Sequence, residues 1–72
     1  MEKFMNQISE ILEVDRVNPT DILINFDAWD SLTQLSIIAL VSETYKITIT
    51  AEELKKAETI EMLYELIKRK KQ

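Results

Sequence analysis

Apolar residues in the first part of the chain recur with the period of an amphipathic helix. One stripe consists of Phe4, Ile8, Ile11 and Leu12. Residues at this spacing lie on one side of a helix and can face a core. The pattern predicts a first helix from Glu2 to about Val14. The turn sequence Asn18-Pro19-Thr20-Asp21 ends it, because proline fixes its own φ and disfavours helix at the residue before it.

The region from Asp15 to Asp30 is predicted to be a long ordered loop. Ile22, Ile24 and Phe26 occupy alternate positions, as they would in a strand, but no second strand is predicted that could pair with them. We therefore expect a loop with room for one helical turn, whose apolar residues cover the core.

A second helix is predicted from Ser31 to about Tyr45. It contains few charges and has apolar residues over much of its circumference, so we expect it to be the most buried or most contacted element. At 100° per residue, one arc contains Leu32, Leu35, Ser36, Ala39 and Glu43. The other arc contains Ile37, Ile38, Val41 and Tyr45, and it is the better candidate for the core.

Two further helices are predicted in the last part of the chain. Ile47 and Ile49 mark an extended link, and Thr50 with Glu53 has the spacing of a capping box that begins a short third helix. Thr59 can cap a last helix, whose apolar stripe is Ile60, Leu63 and Ile67. The predicted fold is all-α: a four-helix bundle of three main helices and one short helix, with the long loop between helices one and two, in a single domain over residues 1–72.

Composition narrows the possible functions. The chain has no cysteine and no histidine. A disulfide framework and thiolate metal sites are therefore excluded, and a reducing cytoplasm is the expected location. Without histidine, the chain lacks the side chain best suited to proton transfer near neutral pH, so we expect no enzymatic activity. No signal peptide or membrane-spanning run is recognised, and we expect no membrane association.

Charge is unevenly distributed. Four of the nine Lys and Arg residues lie at positions 68–71, so residues 1–67 carry five cations and 13 anions, a net charge of −8. Such a body repels nucleic acid and attracts basic protein surfaces. The terminal cations suit a helix C-terminus, although we expect that turn to fray and assign it no function.

The start of the second helix carries the only motif with an evident chemistry. Trp29-Asp30-Ser31-Leu32 is followed first by an apolar series and then by Tyr45-Lys46-Ile47-Thr48-Ile49. The apolar series consists of Leu35, Ile37, Ile38, Ala39, Leu40 and Val41. Together with the helix order and the long first loop, these residues resemble the acyl carrier protein family over essentially the whole chain. The resemblance implies that Ser31 receives 4′-phosphopantetheine from coenzyme A as a phosphodiester, and that the thiol of this arm carries acyl or aminoacyl groups as thioesters.

The same resemblance implies the partners and their docking face. The partners are a phosphopantetheinyl transferase, an enzyme that activates an acyl or aminoacyl group, and a downstream synthase or transferase. We expect the carrier to be a monomer. These enzymes would contact it at Asp30, Leu32, Leu35, Ser36 and Ala39. Many relatives carry acidic residues at the positions of Thr33 and Ser36, so we expect a different or narrower set of partners here. Relatives also often have glycine at the position of Lys46, whereas this sequence contains no glycine at any position. A left-handed Lys46 would cost roughly 1 kcal/mol, unless the helix ends differently.

Several alternatives remain open at this stage. Ser31 with Gln34 also has the spacing of a capping box, and Asp30 could equally be the N-cap. Leu32 could pack on the loop. Trp29 could line the exit of the arm, but we expect it to cover the core, because a single indole beside a helix start more often does so. The competing function is an unmodified helical adaptor for protein interactions.

Overall fold

The computed structural model describes residues 2–71 as four α-helices and one 3₁₀ turn. In chain order the elements are α1 (Glu2–Ile11), the 3₁₀ turn (Leu23–Asn25), α2 (Ser31–Tyr45), α3 (Ala51–Lys56) and α4 (Ile60–Lys71). The prediction of an all-α bundle with three longer helices, one short helix and a long first loop is confirmed. None of these helices is both long and apolar enough to cross a membrane.

Helix α1 is shorter than predicted, because it ends at Ile11 and not near Val14. Glu13 adopts a left-handed conformation with φ of 59°. The Glu13 N–H donates to the Glu10 carbonyl at 3.2 Å, and the Val14 N–H donates to the Ser9 carbonyl at 3.0 Å. These two bonds form a Schellman motif, which satisfies the last carbonyls of a helix and turns the chain away from its axis.

The first loop is joined to the start of α4 by backbone hydrogen bonds. Ile22 and Thr59 form an isolated antiparallel bridge. Next to it, the Leu23 N–H donates to the Glu58 carbonyl at 2.9 Å. As expected, no second strand pairs with this segment within residues 2–71, and the expected ordered loop with one helical turn is confirmed. The sequence did not indicate the single bridge to Thr59. The bridge holds the loop over the core, where Leu23 is fully buried.

All four helices contribute to one apolar core. Its largest fully buried side chains include Phe4, Ile8, Ile37, Val41, Leu54, Ile60, Leu63 and Ile67. Helix α2 packs against each of the other three helices. It is nevertheless not the most buried element, because only Ile37 and Val41 of its 15 residues are buried. The predicted core arc was correct, and the apolar residues of the other arc face solvent.

The last two helices begin at the predicted caps. The Thr50 hydroxyl accepts a hydrogen bond from the Glu53 N–H at 3.1 Å, and Glu53 Oε1 accepts one from the Thr50 N–H at 2.9 Å. The Thr59 hydroxyl accepts one from the Met62 N–H at 3.2 Å. Each bond satisfies a helical N–H that would otherwise lack an acceptor.

The C-terminal cations form an ordered end of α4, so the expectation of a frayed turn is wrong. Lys70 Nζ lies 2.7 Å from Glu53 Oε1 and donates to the Thr48 carbonyl at 2.9 Å. Lys71 Nζ lies 5.8 Å from the ring centroid of Tyr45, in the range of a cation–π contact. These contacts attach the last turn to α2, to α3 and to the link between them.

Candidate functional site

A reciprocal capping box fixes the start of α2. Asp30 Oδ1 accepts a hydrogen bond from the Thr33 N–H at 2.9 Å, and Thr33 Oγ1 accepts one from the Asp30 N–H at 2.9 Å. Asp30 is therefore the N-cap, and the alternative in which Ser31 and Gln34 form the box is wrong. Thr33 was not singled out for this role, although its position three residues after Asp30 has the required spacing.

Ser31 consequently occupies the first turn of α2 without serving as its cap. The residue is exposed, and its hydroxyl has no hydrogen-bond partner among residues 2–71. Because Asp30 already satisfies the Thr33 N–H, no other group in the turn requires the Ser31 oxygen. The hydroxyl stands free at the surface.

Two backbone amides beside this hydroxyl also remain available. Within residues 2–71, the N–H groups of Ser31 and Leu32 donate to no acceptor, whereas the Gln34 N–H donates to the Asp30 carbonyl at 3.0 Å. Free amides at a helix N-terminus, together with the helix dipole, favour an anion. An exposed hydroxyl next to two free amides fits a phosphodiester on Ser31 Oγ, so the residues present are compatible with a phosphopantetheine group.

The predicted recognition residues share one exposed face with Ser31. Leu32 is 72% exposed and Leu35 is 62% exposed, and Ser36 and Ala39 are also exposed. The alternative in which Leu32 packs on the loop is therefore wrong. This face carries no charge between Ser31 and Ser42, so it is an apolar surface with hydroxyl groups at its edges.

Trp29 lies beside the site but covers the core. Its side chain is half-buried and packs against the core cluster, as expected. The Trp29 N–H donates to the Phe26 carbonyl at 3.0 Å, which makes a tight turn just before Asp30. This turn sets the direction in which the chain enters α2.

The chemistry of the site is limited to the hydroxyl and the amides. Among the described residues 2–71, no group of three or more Asp, Glu, His or Cys side chains is placed to hold a metal ion. The nearest carboxylate in sequence, Asp30, is engaged by the Thr33 N–H. The arrangement offers a hydroxyl oxygen that can receive a phosphate group and two amides that can bind an anion. Among the described residues, no base beside Ser31 is evident that could remove its proton.

Comparison with known proteins agrees with this class of site. The family model described as a phosphopantetheine attachment site matches residues 2–67. The chain therefore belongs to this family, whose domains are carriers of a 4′-phosphopantetheine prosthetic group. Such domains are generally non-catalytic, and they interact with modifying and biosynthetic enzymes. No curated protein and no solved structure is significantly similar to the chain.

Proposed function

We propose that Ser31 is the attachment residue for 4′-phosphopantetheine, and that this chain acts as an acyl carrier protein. The observation that carries the proposal is the exposed Ser31 hydroxyl, which has no hydrogen-bond partner within residues 2–71 at the head of α2. When bound, the prosthetic group supplies a terminal thiol that holds acyl or aminoacyl groups as thioesters. The chain itself has no cysteine that could do this.

Each residue at the start of α2 has a distinct part in this proposal. Asp30 and Thr33 fix the first turn, so that the Ser31 side chain points outward without a competing hydrogen bond. The Ser31 and Leu32 amides are free to donate to phosphate oxygens. A phosphate bound at this position gains from the helix dipole without displacing any existing contact.

In this scheme, the phosphopantetheinyl transferase activates the Ser31 hydroxyl. The chain contains no histidine, and Asp30 Oδ1 is occupied by the Thr33 N–H. A serine hydroxyl is a weak nucleophile unless a base or a metal ion activates it. The transferase therefore provides the base or the metal ion, and the carrier acts as a substrate.

The partners in this scheme are a phosphopantetheinyl transferase, an enzyme that activates an acyl or aminoacyl group, and a downstream synthase or transferase. They meet the apolar face at Leu32, Leu35, Ser36 and Ala39, with Asp30 at its edge. We propose further that residues 1–72 act as one monomeric cytoplasmic domain that shuttles its cargo between these enzymes and binds neither nucleic acid nor membrane.

Two serines on the same face of α2 provide a matched test. The protein is coexpressed with a broad-range phosphopantetheinyl transferase, and its intact mass is measured as wild type, Ser31→Ala and Ser42→Ala. We expect one added arm on the wild type and on Ser42→Ala, and none on Ser31→Ala. Ser42 is a suitable control because it is exposed on α2 outside the proposed contact residues. It lies within about 20° of Ser31 around the helix and about 16 Å farther along the axis.

The same experiment separates the carrier from an unmodified adaptor. Peptide mapping of the wild type should place the arm on Ser31. Circular dichroism should show that Ser31→Ala keeps its helical signal, because the Ser31 hydroxyl makes no hydrogen bond within residues 2–71. A wild-type protein that never gains the arm, or an arm that persists in Ser31→Ala, would contradict the proposal.

A further inference from the structure

A groove lies between the end of α1 and the first loop, close to the start of α2. It has a volume of about 480 Å³ and is lined in part by Glu13, Val14, Phe26, Asp27 and Ala28. This volume is within the range of about 300–1,000 Å³ that is usual for ligand clefts. The groove is open to solvent on one side and can admit a segment of another protein.

The lining of the groove combines negative charge with apolar surface. Glu13 and Asp27 are both exposed, and within residues 2–71 neither carboxylate forms a salt bridge. No Lys or Arg lines the groove. Val14 is 37% exposed, and Phe26 is half-buried against the core. A complementary occupant has a cation that can reach the carboxylates and an apolar side chain that covers Val14.

Hydrogen bonds fix one wall of the groove relative to Ser31. The Thr33 hydroxyl donates to the Ala28 carbonyl at 3.0 Å, which joins the loop to the first turn of α2. Asp27 precedes Ser31 by only four residues, and the turn between Phe26 and Trp29 is closed by a hydrogen bond of 3.0 Å. These hydrogen bonds hold this wall of the groove in a fixed position relative to the turn that carries Ser31.

Beyond the N-cap Asp30, the face of α2 offers a basic enzyme no carboxylate close to Ser31. The first turn of α2 contains no acidic residue, and the first charge after Ser31 is Glu43. At 1.5 Å per residue, Glu43 lies about 18 Å farther along the helix axis, more than the Debye length of about 8 Å in physiological salt. Apart from its own N-cap, the carboxylate nearest to Ser31 in sequence is Asp27, which precedes it by four residues on the loop side and forms no salt bridge within residues 2–71.

We infer that this groove is a second docking surface, and that it receives a Lys- or Arg-bearing segment with an adjacent apolar side chain from the phosphopantetheinyl transferase that acts on Ser31. The inference rests on the proposed function and adds the location of the charge that guides the enzyme. Charge complementarity selects a cationic protein segment, because the groove offers two unpaired carboxylates and no cation.

The test compares two double variants with the same net charge. Glu13→Gln with Asp27→Asn removes the carboxylates of the groove, whereas Glu43→Gln with Glu65→Gln removes two exposed carboxylates from α2 and α4. The rate at which the transferase loads the arm from coenzyme A is measured as kcat/KM at about 20 mM and about 500 mM salt. Electrostatic guidance raises association rates at low salt and is screened at high salt.

We expect the groove variant to lose about three- to tenfold in kcat/KM at low salt and to approach the wild type at high salt, as lost steering requires. The control variant should stay within about twofold of the wild type at both salt concentrations. Equal losses in the two variants, or no loss in either, would overturn the groove inference while the arm is still attached to Ser31. If the wild type is not loaded at Ser31, the proposed function itself fails. Thermal unfolding followed by circular dichroism checks that both variants are folded, and Asp27→Asn alone serves if the double variant is not.

Discussion

Glu13 and Lys46 both adopt the left-handed helical conformation, each just after the end of a helix, with φ of 59° and 60°. This conformation costs a residue with a Cβ roughly 1–2 kcal/mol, which is why glycine is common there. The chain contains no glycine, so it accepts this strain at both positions. At Lys46 the strain is partly offset by a hydrogen bond, in which the Lys46 N–H donates to the Ser42 carbonyl at 3.2 Å.

Replacing Lys46 with glycine should stabilise the protein. The change removes the Cβ strain and keeps the backbone hydrogen bond, while the greater freedom of glycine in the unfolded chain cancels part of the gain. We expect the free energy of unfolding to rise by about 0.5–1 kcal/mol, measured by urea denaturation. Lys55→Gly is the control, because Lys55 lies inside α3 and glycine there should lower the stability by about 1 kcal/mol. Destabilisation by both variants would contradict the strain at Lys46.

These residues also show where a single sequence stops being informative. The strained exit at Lys46 was one of two possibilities, and the structure selects it. Nothing in the sequence indicated that Glu13 is left-handed, because glutamate is also common inside helices and does not mark a helix end as glycine does. The identity of the N-cap of α2 could not be decided from the sequence either, because Asp and Ser are about equally good N-caps. The reciprocal hydrogen bonds between Asp30 and Thr33 identify Asp30 as the cap.

At the level of elements, α2 combines a narrow buried face with a wide exposed face, and both faces are apolar. Ile37 is fully buried, while Leu35, two residues earlier, is 62% exposed. Apolar residues all around a helix usually indicate burial. Here only one of the two apolar faces is buried, so composition overestimated the burial of α2 although the choice of core arc was correct.

The two faces of α2 should respond differently to truncation. Ile37→Ala leaves a cavity in the core, and we expect it to cost about 2–5 kcal/mol. A domain of this size has about 4–11 kcal/mol in total, so the loss is a large part of the stability. Leu35→Ala is the matched control on the exposed face and should cost no more than about 0.5 kcal/mol. Urea denaturation measures both changes, and similar losses in the two variants would be evidence against the assigned faces.

Pairing between distant segments was the part of the fold least visible in the sequence. The alternation around Ile22 was recognised, but its partner Thr59 lies at the start of a helix, where no strand pattern exists. Periodicity detects elements of several residues, and a single bridge is too short to produce one. The helix order, the caps of α3 and α4 and the core stripes were predictable because each depends on residues close together in the sequence.

In the whole molecule, the C-terminal turn acts as a clasp on the other elements. Lys70 joins α4 to Glu53 at the start of α3 and to the Thr48 carbonyl in the preceding link. The Glu53 carboxylate also accepts the Thr50 N–H. The hydrogen bond from Lys70 and the hydrogen bond from the Thr50 backbone together lower the pKa of Glu53 below its ordinary value of 4.5.

This lowered pKa makes part of the stability depend on pH. A carboxyl group with a lower pKa in the folded protein contributes stability above its unfolded pKa, and this contribution is lost as the pH falls through the folded value. We therefore expect the clasp to be fully effective above about pH 4.5 and to weaken below it. Since the Glu53 side chain is 32% exposed, solvent and salt limit the size of the effect.

Lys70→Met tests the clasp, because it removes the main cause of the lowered pKa and leaves the Thr50 bond in place. Urea denaturation between pH 7 and pH 3 should show a variant less stable than the wild type at neutral pH, with the difference narrowing below pH 4.5. Part of the difference should persist in acid, because the bond from Lys70 to the Thr48 carbonyl does not titrate in this range. Lys55→Met, which removes an exposed cation that forms no salt bridge within residues 2–71, should give a curve parallel to that of the wild type. If Lys70→Met also runs parallel to the wild type down to pH 3, the ion pair does not couple α4 to α3, and the order of the last turn must come from its ring contacts instead.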